Sequence, residues 1–514
     1  MQPSGERHGL ARTSSGIAFF AALGVLTGFA VDATIAALFG AGEQTDAFFI
    51  AATIPFALAA VLLTSANQAV VPLINGWFGE EEPDVAMERV GTLLGTALAV
   101  ALAVGAVGVA LSPVIPSLLA PGASPGTRSS ATALTALLFV TVVTRVVAEV
   151  LRALLNARFS FAAPAAMPVT ENVSVLLTTL ALHDRLGVPA IAVGYVVGGF
   201  VQVAFMYGAV RARGLRVRTR VRLRDPAVRE AFRLLRLPLA GTGLTMLART
   251  VERFFASFLP AGSITILNYA WVIVNSLGGA IFFRSVVVAL LPRLSEVRRD
   301  DDASRRIEGD GIRLMALISF PLTALVVVLA QPIVTLFFQR GAFSAPSAVL
   351  LGAVVALYAF QFPLDALTRV FLSFWYSRLD TRVPFLNVAL GVGIDIVLAA
   401  ILVWPFGIRG LAIAYVAASV ANLAHGLVSV DRRIGLRLRA LVPFLAKVTA
   451  ASVAAAVASW LTGRAVPAVA EPMARVLAVA LPGAAGLVVL LLTLAALRVR
   501  IWRLLRGRGA RAGG

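Results

Sequence analysis

Long apolar stretches follow one another along almost the whole chain, and their length restricts the fold more than any other feature. A helix needs about 20 mainly apolar residues to cross a hydrocarbon core of about 30 Å. Stretches of that kind fall at 16–40, 46–76, 90–118, 130–156, 162–182, 188–210, 237–260, 263–292, 313–338, 347–376, 384–405, 408–430, 442–462 and 473–498. With 59% hydrophobic and 14% charged residues, and a mean hydropathy of +0.89, the chain is too apolar for a soluble globule and takes the bilayer as its solvent. The expectation is an all-α polytopic membrane protein of about 14 transmembrane helices. The first stretch is longer than a signal-peptide core, contains Asp32 and runs straight into the second, so it reads as a retained helix.

A formal net charge of +19 raises the question of nucleic acid, but no separate soluble basic domain exists to bind one. Topology accounts for the charge instead. With a cytoplasmic N-terminus, the two tails and the even-numbered connections hold about thirty of the 45 Lys and Arg residues. The odd-numbered connections hold Arg128, Arg185, Arg340, Arg409 and Arg464. This asymmetry follows the positive-inside rule and places both termini in the cytoplasm, the chain crossing the cell inner membrane many times. Cysteine is absent, which excludes disulfides, thiolate chemistry and cysteine-ligated metals.

Setting one half of the chain against the other brings out a repeat with an offset of 220 residues. Asp32 falls on Glu252, Thr45 on Thr265, Pro72 on Pro292, Arg158 on Arg378, Pro164 on Pro384, Gly187 on Gly407 and Tyr195 on Tyr415. A single-residue slip, Pro113 against Pro332, interrupts the series. The expected organisation is a tail at 1–15, a first six-helix lobe at 16–210, a basic linker at 211–236, a second six-helix lobe at 237–430, a basic loop at 431–441, two extra helices at 442–498 and a basic tail at 499–514. Because each copy holds an even number of helices, both enter the membrane from the same side, as parallel repeats. Substrate is expected between the lobes, which would rock about it by alternating access. In the linker, Arg216, Arg218, Arg220, Arg222 and Arg224 alternate with mostly apolar residues. Such a pattern serves as an orientation signal and surface linker, or as a binding strip for anionic lipid headgroups.

Ionisable groups at membrane depth are costly and face a protein interior or a wet cavity. In the fourth helix Arg145 and Glu149 share a face, and the equivalent positions in the tenth are Asp365 and Arg369, with the charges exchanged. Each pair can neutralise itself within its helix, or the four can meet as a gate. The seventh helix carries Arg249, Glu252 and Arg253 on one side, a local positive excess suited to a phosphate headgroup, which the planar arginine fork holds bidentately. An interhelical pairing of these arginines with Asp32 or another carboxylate is the structural alternative. Glu252 and Asp395 have no fixed partner legible in sequence and suit Na+ or H+ coupling. Asp46 reads equally as a helix cap or a functional group, and His425 as a packed residue. No bound cofactor is expected. Neither a Walker A loop nor a paired His-Glu metal motif occurs, and no large extramembrane loop is available for a sugar-nucleotide site, so a transporter is expected rather than an enzyme.

Several segments resemble the MurJ/MviN family of lipid II flippases, within the superfamily that includes polysaccharide exporters and MATE antiporters. They are LFGAGEQTDAFFIAATIP at 38–55, the VP at 71–72, LNARFSFAAPA at 155–165, VERFFASFLPAGSITILNYA at 251–270, RGAFSA at 340–345 and SRLDTRVP at 377–384. The resemblance spans the first twelve helices. It implies fourteen helices in two lobes plus a pair, and a lipid-linked glycan substrate, the undecaprenyl-pyrophosphate-linked disaccharide pentapeptide, moved to the outer leaflet. It also implies that Asp32 and Asp46 match acidic positions of the first two helices, and that Glu252 and Asp395 match a cation site in the second lobe. The chain departs from the family where Val25, Val31, Ala59 and Val272 stand at positions expected to be basic, and where Asn275 replaces a glutamate. Arg145, Arg249, Arg253 and Arg369 are then the basic groups left for a headgroup site. A flippase for another lipid-linked polysaccharide, a MATE-like exporter of organic cations and a non-transporting scaffold stay open beside the leading expectation.

Overall fold

The computed structural model describes residues 4–65, 70–222, 224–278, 284–466 and 472–499. Its elements are helices, and the chain divides into two compact units, Met1–Thr265 and Ile266–Gly514. The first unit contains α1 (Ser4–Phe39), α2 (Glu43–Ser65), α3 (Val71–Glu80), α4 (Pro83–Ala110), α5 (Ile115–Leu119), α6 (Pro125–Ala157), α7 (Ala162–Leu186), α8 (Pro189–Arg211) and α9 (Pro226–Ala256). After α10 (Ser263–Val274), which begins at the boundary, the second unit holds α11 (Arg284–Glu296), α12 (Asp301–Phe337), α13 (Ala345–Tyr358), α14 (Gln361–Ser377), α15 (Arg382–Phe406), α16 (Ile408–Ile434), α17 (Leu438–Ala465) and α18 (Pro472–Ala496).

Twelve helices among the described residues are long and apolar enough to span a bilayer, against fourteen expected. The two that fall short are the seventh and eighth. The seventh is the second half of α9, where Arg249, Glu252 and Arg253 put three charges into one apolar window. The eighth is divided between α10 and α11, with residues 279–283 outside the described set. The tenth is bent, because Pro363 has no N–H to continue a hydrogen-bond ladder, and the chain breaks between α13 and α14 at Ala359 and Phe360.

The duplication reappears in backbone punctuation. Ser124 caps α6, accepting the Thr127 N–H at 3.2 Å, and Ser344, 220 residues on, caps α13 by accepting the Ser347 N–H at 3.3 Å. At the far end of α6 the chain reverses at Phe159, with φ of 53°, and its counterpart Leu379 after α14 has φ of 62°. In both turns the next residue bonds back five places, Ser160 N to Leu155 O at 2.8 Å and Asp380 N to Trp375 O at 3.0 Å. That is the Schellman stop usually made by glycine; a bulky residue in this left-handed region costs on the order of 1–2 kcal/mol. Gly187 and Gly407, at φ of 63° and 56°, end α7 and α15, each with its own N–H bonded four residues back, to His183 O and Val403 O.

Glycine spacing decides how closely some elements meet. On α8, Gly194 and Gly198 lie four apart and bring the helix against the backbone of α7 at Val175 and Glu171, the small-residue packing favoured in lipid. On α4, Gly91 and Gly95 face the extended linker rather than another helix. A Cβ at either would overlap the carbonyl oxygens of Arg218 and Arg220. The core beneath the linker is built from Leu73, Trp77, Leu151, Leu154, Met206 and Val210, with Leu215 and Val217 packed on it. In the second unit a smaller cluster joins Val448, Ala451 and Ala455 of α17 to Leu490 and Leu494 of α18.

Candidate functional site

Charges of the first unit gather into a network that joins five helices. Arg145 of α6 does not neutralise Glu149 within its own helix, as an i,i+4 spacing allows; its Nη2 forms an ion pair with Glu171 Oε1 of α7. The close approach of α8 places the Gln202 amide against the same carboxylate, Nε2 donating to Glu171 Oε2 at 3.2 Å. Glu149 is taken instead by Arg152, whose Nε lies 2.7 Å from its Oε2. Over Arg145 lies the Phe56 ring of α2, its centroid 5.4 Å from Cζ, and Phe56 packs on Tyr195 of α8 at 4.8 Å. Asn172 ties α7 to α1, donating to Gly24 O at 3.1 Å and to Thr27 Oγ1 at 3.2 Å.

Asp32 lies on α1 within electrostatic reach of Tyr195, as do Glu171 and Arg145, and among the described residues it has no ion pair. The network thus sets Arg145 and Arg152 against Asp32, Glu149 and Glu171. It is compensated rather than positively charged, unlike the basic lining expected from sequence.

The second charged group, on α9, also turns to protein. Arg253 Nη1 donates to Phe49 O of α2 at 2.8 Å and to Thr53 Oγ1 at 2.5 Å, with Arg249 and Glu252 close beside it. Replacing Arg253 by alanine removes this clamp between α9 and α2, and is expected to lower the unfolding free energy by about 1.5–3 kcal/mol. Thermal unfolding of the detergent-solubilised chain measures it, and an unchanged midpoint contradicts the clamp.

Asp46 is a cap, though not of its own helix. Its Oδ2 accepts the Gly262 N–H at 2.7 Å and its Oδ1 accepts the Thr265 N–H at 2.8 Å. The Thr265 hydroxyl lies 2.6 Å from Oδ1 and 3.0 Å from the hydroxyl of its repeat counterpart Thr45. The first turn of α10, whose N–H groups have no partner within the helix, is therefore closed by a carboxylate from the start of α2. Gly262 permits the approach: φ is +91°, and a Cβ there would come within 2.8 Å of Ala41 O.

In the second unit Asp365 and Arg369 stay on one helix and attract one another, Arg369 being exposed. The exchange of charge between the copies now has a structural basis. The position equivalent to Glu171 is Gly391, and that equivalent to Gln202 is Asn422, whose side chain fills the space over Gly391. Without a carboxylate at 391, an arginine at 365 would have lost its partner. Asp395, one turn further along α15, is 6% exposed. His425 is a packed residue, its Nδ1 lying 3.1 Å from Asn387 Nδ2. Glu252 and Asp395 fall in different units.

Glu171, Gln202 and Arg152 were missed in the sequence reading, although Glu171 and Asn172 stand as adjacent polar residues inside an expected span. Glu308 of α12 was missed as well. It is fully buried, and neither carboxylate oxygen has a hydrogen-bond partner among the described residues. Its repeat counterpart Glu88 is paired with Arg220. Among those residues no group of three or more His, Asp or Glu side chains is placed to hold a metal ion.

Long apolar helices with charges paired inside them define an all-α polytopic membrane protein. A solved structure described as lipid II flippase MurJ in an inward closed conformation superposes with a TM-score of 0.79 at 18% identity, covering 95% of this chain and 99% of that one. An inward-facing multidrug MATE transporter superposes at 0.60, with 16% identity over 80% of this chain and 95% of that one. Residues 35–472 match the family described as lipid II flippase MurJ, and the chain belongs to that family. Among its relatives, a probable lipid II flippase MurJ of Bdellovibrio bacteriovorus is 29% identical over 271 residues, which is 52% of each chain. One of Rhizobium meliloti is 30% identical over 276 residues, 52% of this chain and 51% of that one. The matches span about half the length of these curated relatives.

Proposed function

We propose that the chain is a flippase moving a polyprenyl-pyrophosphate-linked glycan precursor, peptidoglycan lipid II in the first place, across the cytoplasmic membrane by alternating access. The match of residues 35–472 to the lipid II flippase family carries this reading. The arginine asymmetry supports cytoplasmic termini. Glu252 and Asp395 are the carboxylates through which Na+ or H+ would couple transport, and the basic linker 211–236 would meet anionic lipid headgroups. Of the arginines expected to hold the pyrophosphate, Arg369 is proposed for the headgroup because its side chain is exposed. Arg369→Ala is expected to weaken lipid II binding about ten-fold or more, the loss of one charge-assisted hydrogen bond. Binding equal to the wild type would exclude it from the site.

One set of observations favours a second reading, a non-transporting scaffold of the same fold. Arg145, Arg152 and Arg253 are engaged by protein groups. Val31 and Ala59, at positions expected to be basic, are 3% and 6% exposed. Depletion in the native organism, with measurement of outer-leaflet lipid II, separates the two. A fall supports the flippase; an unchanged level, with no second flippase present, leaves the scaffold.

A further inference from the structure

The linker after α8 is a fixed strap rather than a loose tether. Its backbone is bound to α4 at two points, Arg220 N to Gly91 O at 3.1 Å and Arg222 N to Thr96 Oγ1 at 3.1 Å. Gly91 and Gly95 leave the groove into which the carbonyls of Arg218 and Arg220 sink. Leu215 and Val217 point down onto the core. In extended chain, alternate residues face opposite ways and those on one face lie about 7 Å apart. Leu215 and Val217 turn inward, Thr219 and Val221 are exposed, and Arg216, Arg218, Arg220, Arg222 and Arg224 form a comb of exposed arginines along the strap. Glu88 of α4 takes Arg220 and approaches Arg222 at 3.6 Å. Arg216, Arg218 and Arg224 have no ion pair among the described residues. The second copy keeps Glu308 and Gly311 at the equivalent positions, but among the described residues Glu308 meets no arginine, and the comb is described in the first copy.

We infer that this strap is a docking site for anionic phospholipid headgroups, held in register by Gly91, Gly95 and Glu88, with Arg216, Arg218 and Arg224 as the lipid-binding teeth. The inference rests on the lipid-facing part of the proposed function and makes it specific. Charge complementarity selects the occupant: three uncompensated guanidiniums, each able to take phosphate oxygens bidentately, stand where membrane-crossing helices end. Fixing the backbone beforehand reduces the ordering cost that a flexible basic segment bears on binding.

The test uses the full-length purified chain, equilibrated with equal amounts of phosphatidylglycerol and phosphatidylcholine, with retained lipids counted by native mass spectrometry. Wild type is expected to retain phosphatidylglycerol selectively. Changing Arg216, Arg218 and Arg224 together to glutamine is expected to reduce that selectivity about 100-fold, at about 1 kcal/mol per charge; the exposed positions leave the fold intact. Gly95→Val, which keeps every arginine and removes the seat, is expected to lose most of the selectivity too. If the triple variant keeps it, or Gly95→Val leaves it whole, the fixed comb is wrong although a lipid preference remains. If wild type shows no preference, the anionic-lipid part of the proposed function fails first. Competition by deacylated glycerophosphoglycerol at equal concentration would show a free-phosphate site and overturn the membrane assignment; absence of competition supports it.

Discussion

Arg145→Ala is expected to destabilise the chain by about 3–5 kcal/mol, the cost of leaving one half of a buried ion pair uncompensated. Arg145 and Glu171 lie at membrane depth with side chains 23% and 9% exposed, and the Glu171 carboxylate would keep only Gln202. Glu171→Leu alone is expected to cost a similar amount, by stranding the guanidinium over Phe56. The double variant, Arg145→Met with Glu171→Leu, is expected to be much less destabilised than the sum, because no unpaired charge remains. Thermal unfolding in detergent measures all three. Additive effects would mean that the two side chains do not depend on one another. Glu149→Gln is the control, since its partner is Arg152, and it should leave the coupling between Arg145 and Glu171 unchanged.

The second large effect is expected at Asp46. Alanine there strands the N–H groups of Gly262 and Thr265, each buried donor costing about 1–3 kcal/mol, so a total of about 3–5 kcal/mol follows. Asparagine keeps one acceptor oxygen and turns an amide towards the other donor, which predicts an intermediate loss. Glutamate, one methylene longer, has to displace Gly262 or Ala41 and is expected to be worse than asparagine. Hydrogen exchange at Gly262 and Thr265 gives the readout: faster exchange in Asp46→Ala supports the cap, and unaltered protection of those amides contradicts it.

Much of the architecture was legible in sequence. Span length and the 220-residue offset are properties of chain order and composition, and a bilayer converts them directly into helices and duplication. The repeat was readable at Arg158 and Arg378 and at Gly187 and Gly407, because a helix stop imposes local rules that a duplicated sequence retains. The seventh and eighth spans were less legible. Three charges in one apolar window, and a helix divided in two, are departures that only packing against other helices makes tolerable.

The candidate site was legible as a set of residues but not as a set of partners. Arg145 and Glu149, four apart, are as good a pair in sequence as Asp365 and Arg369, yet Arg145 and Glu149 each take another partner, while Asp365 and Arg369 attract one another without an ion pair among the described residues. Helix spacing permits a pair within one helix; the distance between helices decides whether a better partner exists. Gly194 and Gly198 bring α8 close enough for Gln202 to join Glu171 on Arg145, and Gly391 removes that option in the second copy. Asp46 read equally as a helix cap or a functional group, and tertiary contact made it the cap of a helix more than two hundred residues away. Sequence by itself determined that this chain is a duplicated membrane bundle with charges at depth, because apolar length, periodicity and repeat are local quantities. Tertiary structure alone decided which charges neutralise which, because ion pairs and hydrogen bonds act over a few ångströms and depend on close approach between elements far apart in the chain.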